Sequence, residues 1–169
     1  MATTARRARP AKKTAPAAKR KAPAPKKVAR AVKRPAARGP AMQRKTIDPG
    51  WTWDDGLPLA QARQIGNTIY VSGQVAYNSA GQLVGEGDMR AQTRQVFDNI
   101  QAVLAAAGAS LGDIIKINTY ITDQSKFMDM LEARKEIFGA TPPASTAVVV
   151  AGLAFPGLLI EVEAIAVKS

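Results

Sequence analysis

The residue pattern predicts an α+β fold in which one β-sheet is covered on a single face by two helices. Two observations carry this. Runs rich in β-branched and aromatic residues at Thr68–Val75, Asp113–Thr122, Thr146–Ala151 and Leu158–Val167 read as strands. Between them lie two segments whose apolar residues recur at helical spacing. The resulting order, β-β-(β)-α-β-α-β-β, is too irregular for repeated βαβ units.

In chain order, Met42 to Pro58 reads as an irregular lead-in, with Pro49-Gly50 and Asp54-Asp55-Gly56 as turn signals. Trp51 and Trp53 alternate within it and are placed to pack one face onto the domain. After the strand at Thr68–Val75, Asn78-Ser79-Ala80-Gly81 reads as a hairpin turn into a short strand around Gln82–Val84. Asp88 is a good N-cap for the first helix, whose core stripe is Val96, Ile100, Val103 and Leu104 and whose stop is Gly108. The strand at Asp113–Thr122 follows a turn at Ser110–Gly112. Ser125 is the expected cap of a second helix running to about Phe138, with Phe127, Met130, Leu131 and Arg134 at helical spacing and Gly139 as its stop. The unbroken apolar stretch Thr146–Ala151 predicts a strand buried on both faces. Phe155-Pro156-Gly157 turns the chain into the last strand.

Charge divides the chain in two. Residues 1–45 hold 16 of the 24 Lys and Arg and no Asp or Glu, so the remaining basic residues are outnumbered by all 13 acidic ones. That first segment is almost wholly Ala, Lys, Arg, Pro and Thr, and it cannot bury enough apolar surface to offset the ~1–2 kcal/mol per residue of backbone ordering. It is expected to be a disordered basic tail, leaving residues 46–169 as a single domain. Dense positive charge without aromatics suits sequence-independent contact with nucleic-acid phosphates, the partner expected for residues 1–45. No apolar run approaches the ~20 residues that span a bilayer, so the expectation is a cytoplasmic protein without a membrane partner, with nucleoid association through the tail as the variant.

The composition also limits the chemistry. There is no cysteine and no histidine, which removes thiolate nucleophiles, disulfides, the commonest metal ligands and the commonest general base. Neither a metal nor a cofactor is expected, and any reaction must rely on carboxylates, hydroxyls, backbone groups or water. Glu161 and Glu163 alternate with Ile160 and Val162, so both lie on one face of the last strand, which suits a solvated face as well as a site. Ser145 lacks any histidine to activate it as a nucleophile.

Gly66-Asn67-Thr68-Ile69-Tyr70-Val71-Ser72-Gly73-Gln74 and Ile160-Glu161-Val162-Glu163-Ala164-Ile165-Ala166, with Thr93–Leu104 and Asp113–Ile121 between them, resemble the signature segments of the Rid family. This family, also called YjgF/YER057c/UK114, comprises the reactive-intermediate deaminases. The resemblance spans roughly residues 57–168 and implies a chorismate-mutase-like fold assembled as a homotrimeric barrel. It implies clefts between subunits where 2-imino or 2-enamino acids are hydrolysed to 2-oxo acids and ammonia. By resemblance Glu161 is the catalytic carboxylate that positions water, and Ser72 and Gly73 are substrate-binding. The usual carboxylate-binding arginine is replaced by Ser145, so this is an arginine-lacking member; Leu59 stands where an entrance tyrosine is usual and Leu131 near a helix asparagine. Lys116 and Arg134 are cations of the body that could substitute for the arginine, at positions that read equally well as exposed. Two alternatives accompany the deaminase reading of this small-metabolite site: a non-catalytic ligand-binding or regulatory trimer, and a nucleic-acid-associated protein acting through its tail.

Overall fold

A computed structural model describes residues 43–169. The expected disorder of the basic tail lies outside them, except that Arg44 and Lys45 already belong to the first strand, β1 (Arg44–Ile47). The other elements are β2 (Ala62–Ile65), β3 (Thr68–Val75), α1 (Met89–Ala106), β4 (Ile114–Ile121), α2 (Phe127–Phe138), β5 (Ala144–Val149) and β6 (Ile160–Val167). They form one six-stranded sheet in the order β1-β2-β3-β6-β4-β5. Every neighbouring pair is antiparallel except the β4/β5 edge, which is parallel because α2 crosses between those strands.

Both helices lie on one face. Ile69, Val71, Ile117, Ile121, Ile160, Val162, Ala164 and Ala166 point toward them from the sheet and are buried with Val96, Phe97, Ile100, Val103 and Leu104 of α1. The opposite face carries Tyr70, Lys116, Asn118, Tyr120, Glu161, Glu163 and Ile165 in half-buried or exposed positions. The predicted helix stripe is therefore core. Asp88 caps α1 as expected, its carboxylate accepting from the amides of Arg90 and Ala91 at 2.9 and 3.1 Å. Phe97 and Phe138 meet edge to face at 5.2 Å and join the two helices.

Several expectations change. Three strands precede α1, and of the two located in the sequence before it, Thr68–Val75 forms as β3 with the expected bounds. β1 and β2 replace the irregular lead-in, pairing through Ile47↔Ala62 to Arg44↔Ile65. Their Arg, Lys and Gln content hid them, because only one residue of each, Ile47 and Ala62, is buried. β2 turns into β3 through Gly66-Asn67, where Gly66 has φ 57°. The strand expected at Gln82–Val84 is only a bridge between Tyr77 and Leu83, although the Asn78–Gly81 turn forms, with the Asn78 side chain accepting from Ala80 and Gln82. Ser125 does not cap α2. Asp123 caps a short 3-10 turn, Gln124–Lys126, and α2 starts at Phe127. Asp113 lies in a 3-10 turn before β4, where it accepts from Ser110 N and Oγ at 2.8 and 3.0 Å.

β5, expected to be covered on one face by the chain's own helices and on the other by neighbouring subunits, is the sheet's edge within one chain, where Val148 and Val149 are 45% and 53% exposed. Trp51 and Trp53 do pack onto the domain, as part of a row in which Trp51–Trp53, Trp53–Tyr77 and Tyr77–Phe155 centroids stand 6.1, 6.0 and 5.9 Å apart.

Candidate functional site

The site begins with a bulge. Val71 pairs with Ala164 but Gln74 pairs with Val162, so Ser72 and Gly73 together oppose Glu163 alone. An extra residue of this kind bends the strand and re-aims the side chains beside it. Ser72 spends both its donors on holding the bulge. Its amide donates to Gln61 O at 2.9 Å and its hydroxyl to Ala60 O at 2.6 Å. Below it, buried Gln74 donates to Gln61 Oε1 at 2.8 Å and to Ser72 O at 3.1 Å, while Gln61 donates to Asp54 at 2.5 Å.

Gly73 matters through what it lacks. A Cβ added there would overlap Glu161 Oε1 and lie 2.8 Å from Cδ and 3.1 Å from Cγ of the same side chain. The carboxylate thus occupies space that any other residue at 73 would fill. Glu161 is half-buried on β6, and no hydrogen bond reaches its carboxylate among the described residues. Burial pushes its pKa above the ordinary glutamate value, with a smaller contribution in the same direction from Glu163.

Glu163, two residues along the same face, has the opposite environment. It accepts from Asn118 Nδ2 at 2.7 Å and from the Tyr120 hydroxyl at 3.1 Å. The hydrogen bond to Glu163 raises the Tyr120 pKa, with burial adding to it. One strand therefore presents one satisfied carboxylate and one that is desolvated without a partner, the situation in which two acids take different roles.

Supporting side chains lock the strands that carry these groups. Gln92, fully buried on α1, donates to Gly157 O at 2.8 Å and Gly85 O at 3.1 Å and accepts from Leu159 N at 2.8 Å, fixing the entry to β6 two residues before Glu161. Asn99 donates to Val75 O and Tyr77 O at 2.9 and 2.7 Å, fixing the end of β3. Sequence reasoning did not single out Gln92, Asn99, Gln61 or Gln74. Gln92 and Asn99 were detectable as polar residues on the apolar stripe of α1, at i−4 from Val96 and i−4 from Val103.

Ser72, Gly73 and Glu161 thus meet within one chain. Leu59 is 53% exposed and adjoins Ala60, the acceptor of the Ser72 hydroxyl, in a hollow shared with Trp51, Leu57 and Gln61. Ser145 and Leu131 are not brought to them. Ser145 pairs with Ile117, an inward residue of β4, so it lies on the helix side of the sheet, while Glu161 lies on the opposite side. Leu131 lines a separate hollow on α2 with Arg134, Lys135, Phe138, Gly139 and Pro142.

The two cations considered as substitutes for arginine take different places. Lys116 is on the open face and donates to Thr146 Oγ1 at 2.8 Å and Ile117 O at 3.1 Å. Arg134 is only 9% exposed, although its sequence position read equally well as surface. Among the described residues no cluster of acidic side chains has the arrangement of a metal site, and no helix is long and apolar enough to cross a membrane.

The sheet with its two covering helices is the fold of a known family of proteins. The family model described as Endoribonuclease L-PSP matches residues 57–168, and the chain belongs to this family, the Rid (YjgF/YER057c/UK114) proteins, with their chorismate-mutase-like fold. A RutC family protein of Pyrococcus horikoshii is 43% identical over 111 residues, covering 66% of this chain and 87% of that protein. The 2-iminobutanoate/2-iminopropanoate deaminase of Mus musculus is 38% identical over 112 residues, covering 66% and 82%. Among solved structures, RidA of an Antarctic Psychrobacter superposes with a TM-score of 0.66 at 36% identity, covering 73% of this chain and 98% of that one. Yeast Mmf1 gives 0.70 at 28% identity, covering 75% and 100%.

Proposed function

We propose that this chain is an imine and enamine deaminase that hydrolyses small 2-imino acids to 2-oxo acids and ammonia, working as a homotrimer. The observation that carries the reading is the Glu161 carboxylate, desolvated, without a hydrogen-bond donor among the described residues, and set against the Gly73 bulge. A carboxylate so placed accepts a proton from water as the water oxygen attacks the imine carbon. That proton passes to the imine nitrogen to give a carbinolamine; the carboxylate then takes the hydroxyl proton and delivers it to the same nitrogen, the carbon–nitrogen bond breaks, and ammonia leaves as the carbonyl forms. An imine is already electrophilic, so orientation and one proton-handling group are sufficient without a metal. The similarity to proteins named 2-iminobutanoate/2-iminopropanoate deaminase supports the choice of substrate class.

The trimer is supported by what one chain leaves open. β5 presents Val148 and Val149 at a sheet edge, beside a hollow lined by Phe127, Met128 and Ala147. Ser145 and Leu131 stand apart from Glu161 within the chain, so a cleft containing all three needs two copies. Gly73 and Leu59 then bind substrate from one copy and Ser145 from the next, with Ser72 holding the bulge that presents Gly73.

Two other readings each rest on one observation. Ser145 in place of an arginine favours a ligand-binding trimer without turnover. The 16 basic residues of positions 1–45 favour an added nucleic-acid partner reached through the tail. The test of the main reading is loss of 2-iminobutanoate, generated in situ, with the native chain and with Glu161→Gln. Turnover well above the buffer rate that disappears in Glu161→Gln, with the oligomer retained, is the expected outcome. A native rate equal to buffer removes the deaminase reading.

A further inference from the structure

Arg134 presents an unusual combination on α2. The residue is 9% exposed, and its Nε has no hydrogen-bond partner among the described residues. Its one protein partner there is the thioether of Met130, which Nη1 approaches at 3.9 Å, a weak acceptor. Burial lowers its pKa with no carboxylate nearby to offset the cost. The acids of α2 are engaged elsewhere. Asp129 and Glu132 pair with Arg90, and Glu136 with Arg94 at 2.7 Å, all on the side of α2 that meets α1.

A guanidinium stem packed on apolar neighbours ordinarily leaves its charged head in water. Here the Nε of the head is buried without a partner among the described residues, and the side chain borders a hollow of about 200 Å³ lined by Leu131, Lys135, Phe138, Gly139 and Pro142. The lining is two cations, three apolar side chains and a glycine, with no acid. A forked donor whose buried Nε lacks an acceptor, beside a second cation in a small apolar-walled hollow, is complementary to an anion with a short hydrocarbon part. Ser145 lies on this same helix side of the sheet, on the strand that follows Pro142 by two residues.

We propose that the hollow between α2 and residues 139–142 is a binding site for a small organic carboxylate, with Arg134 as its forked donor and Lys135 as the second positive charge. The site supplies on α2 a fixed positive charge on the sheet side where Ser145 has none. The choice of a 2-oxo acid as probe rests on the deaminase reading; the site itself does not.

The experiment titrates the native full chain with 2-oxobutanoate and with uncharged butan-2-one at about 150 mM salt, where long-range attraction to the tail is largely screened. Binding is followed by calorimetry and by the ¹H–¹⁵N resonance of the Arg134 Nε–H, assigned by its absence in Arg134→Gln or Arg134→Lys. The expected result is saturable binding of 2-oxobutanoate that shifts this resonance, weakens about ten- to a hundredfold in Arg134→Gln and is partly recovered in Arg134→Lys. Butan-2-one should not distinguish these proteins. Equal affinity in Arg134→Gln, or binding that leaves the Nε–H resonance in place, or no saturable binding, overturns the proposal. If Arg134→Gln does not fold, the resonance shift in the native chain decides alone. The two readings fail separately. Arg134-dependent binding without imine turnover retains the site and removes the deaminase, whereas turnover unchanged in Arg134→Gln alongside unchanged binding does the reverse.

Discussion

Replacing Gly73 by alanine tests the site with a single methyl group. The backbone at 73 is not among the positive-φ positions, so alanine is accepted there without left-handed strain. The methyl instead meets the Glu161 side chain, overlapping Oε1 and standing 2.8 Å from Cδ where ordinary contact begins at 3.4 Å. The neighbour in its way is the far end of a flexible side chain, so the carboxylate gives way and the strands stay. A shift of about 1 Å in a group proposed to orient water costs on the order of a hundredfold in rate. Gly73→Ala should therefore lower kcat for 2-iminobutanoate by about two orders of magnitude while its thermal midpoint stays within a few degrees of the native chain. Rates and melting curves on the same preparations provide the check. Native kcat in Gly73→Ala would refute the argument that the position of the Glu161 carboxylate controls the reaction. Equal loss of rate and fold would show that the glycine serves the bulge rather than the site.

Other consequences are as direct. Because burial raises the Glu161 pKa, the rate should fall with acid along a profile whose midpoint lies above the ordinary glutamate value of about 4.3, and a midpoint at or below that value counts against Glu161 as the proton acceptor. The same shift has a sign for stability. A raised folded pKa favours the folded chain at low pH and loses that favour as pH rises through it, so Glu161→Gln should melt no lower than the native chain at neutral pH. Asp88→Ala removes the acceptor of two helix-terminal amides and should cost about 1 kcal/mol, read as a fall of a few degrees in melting temperature. Retention of the full chain on duplex DNA should fall steeply as salt rises and vanish when residues 1–41 are deleted; salt-insensitive retention, or retention that survives the deletion, rules out a counterion-release interaction through the tail.

Much of the scaffold was legible because local chemistry and tertiary environment agree in it. Val96, Ile100, Val103 and Leu104 repeat at helical spacing and all are buried, and Asp88 and Gly108 mark the ends of α1 in the chain as in the fold. Glu161 and Glu163 alternate with apolar residues and do share one face of β6. Illegible elements were those whose neighbours, rather than residues, make them strands. β1 and β2 are short and polar, and only their pairing with each other and with β3 holds them extended.

At the site, sequence alone determined that any chemistry must proceed without cysteine or histidine, that a Ser-Gly pair and two glutamates lie in strands, and that a serine stands at position 145. Those are matters of composition and of alternation along one strand, which need no knowledge of distant parts. Only the tertiary structure decided that Gly73 makes room for Glu161, that Glu163 is satisfied by Asn118 and Tyr120 while Glu161 is not, and that Arg134 is buried rather than exposed. Each of these depends on which strand or helix lies alongside. A carboxylate's pKa and a guanidinium's want of an acceptor follow from the solvent and partners that packing leaves to them, and residues far apart in sequence supply both.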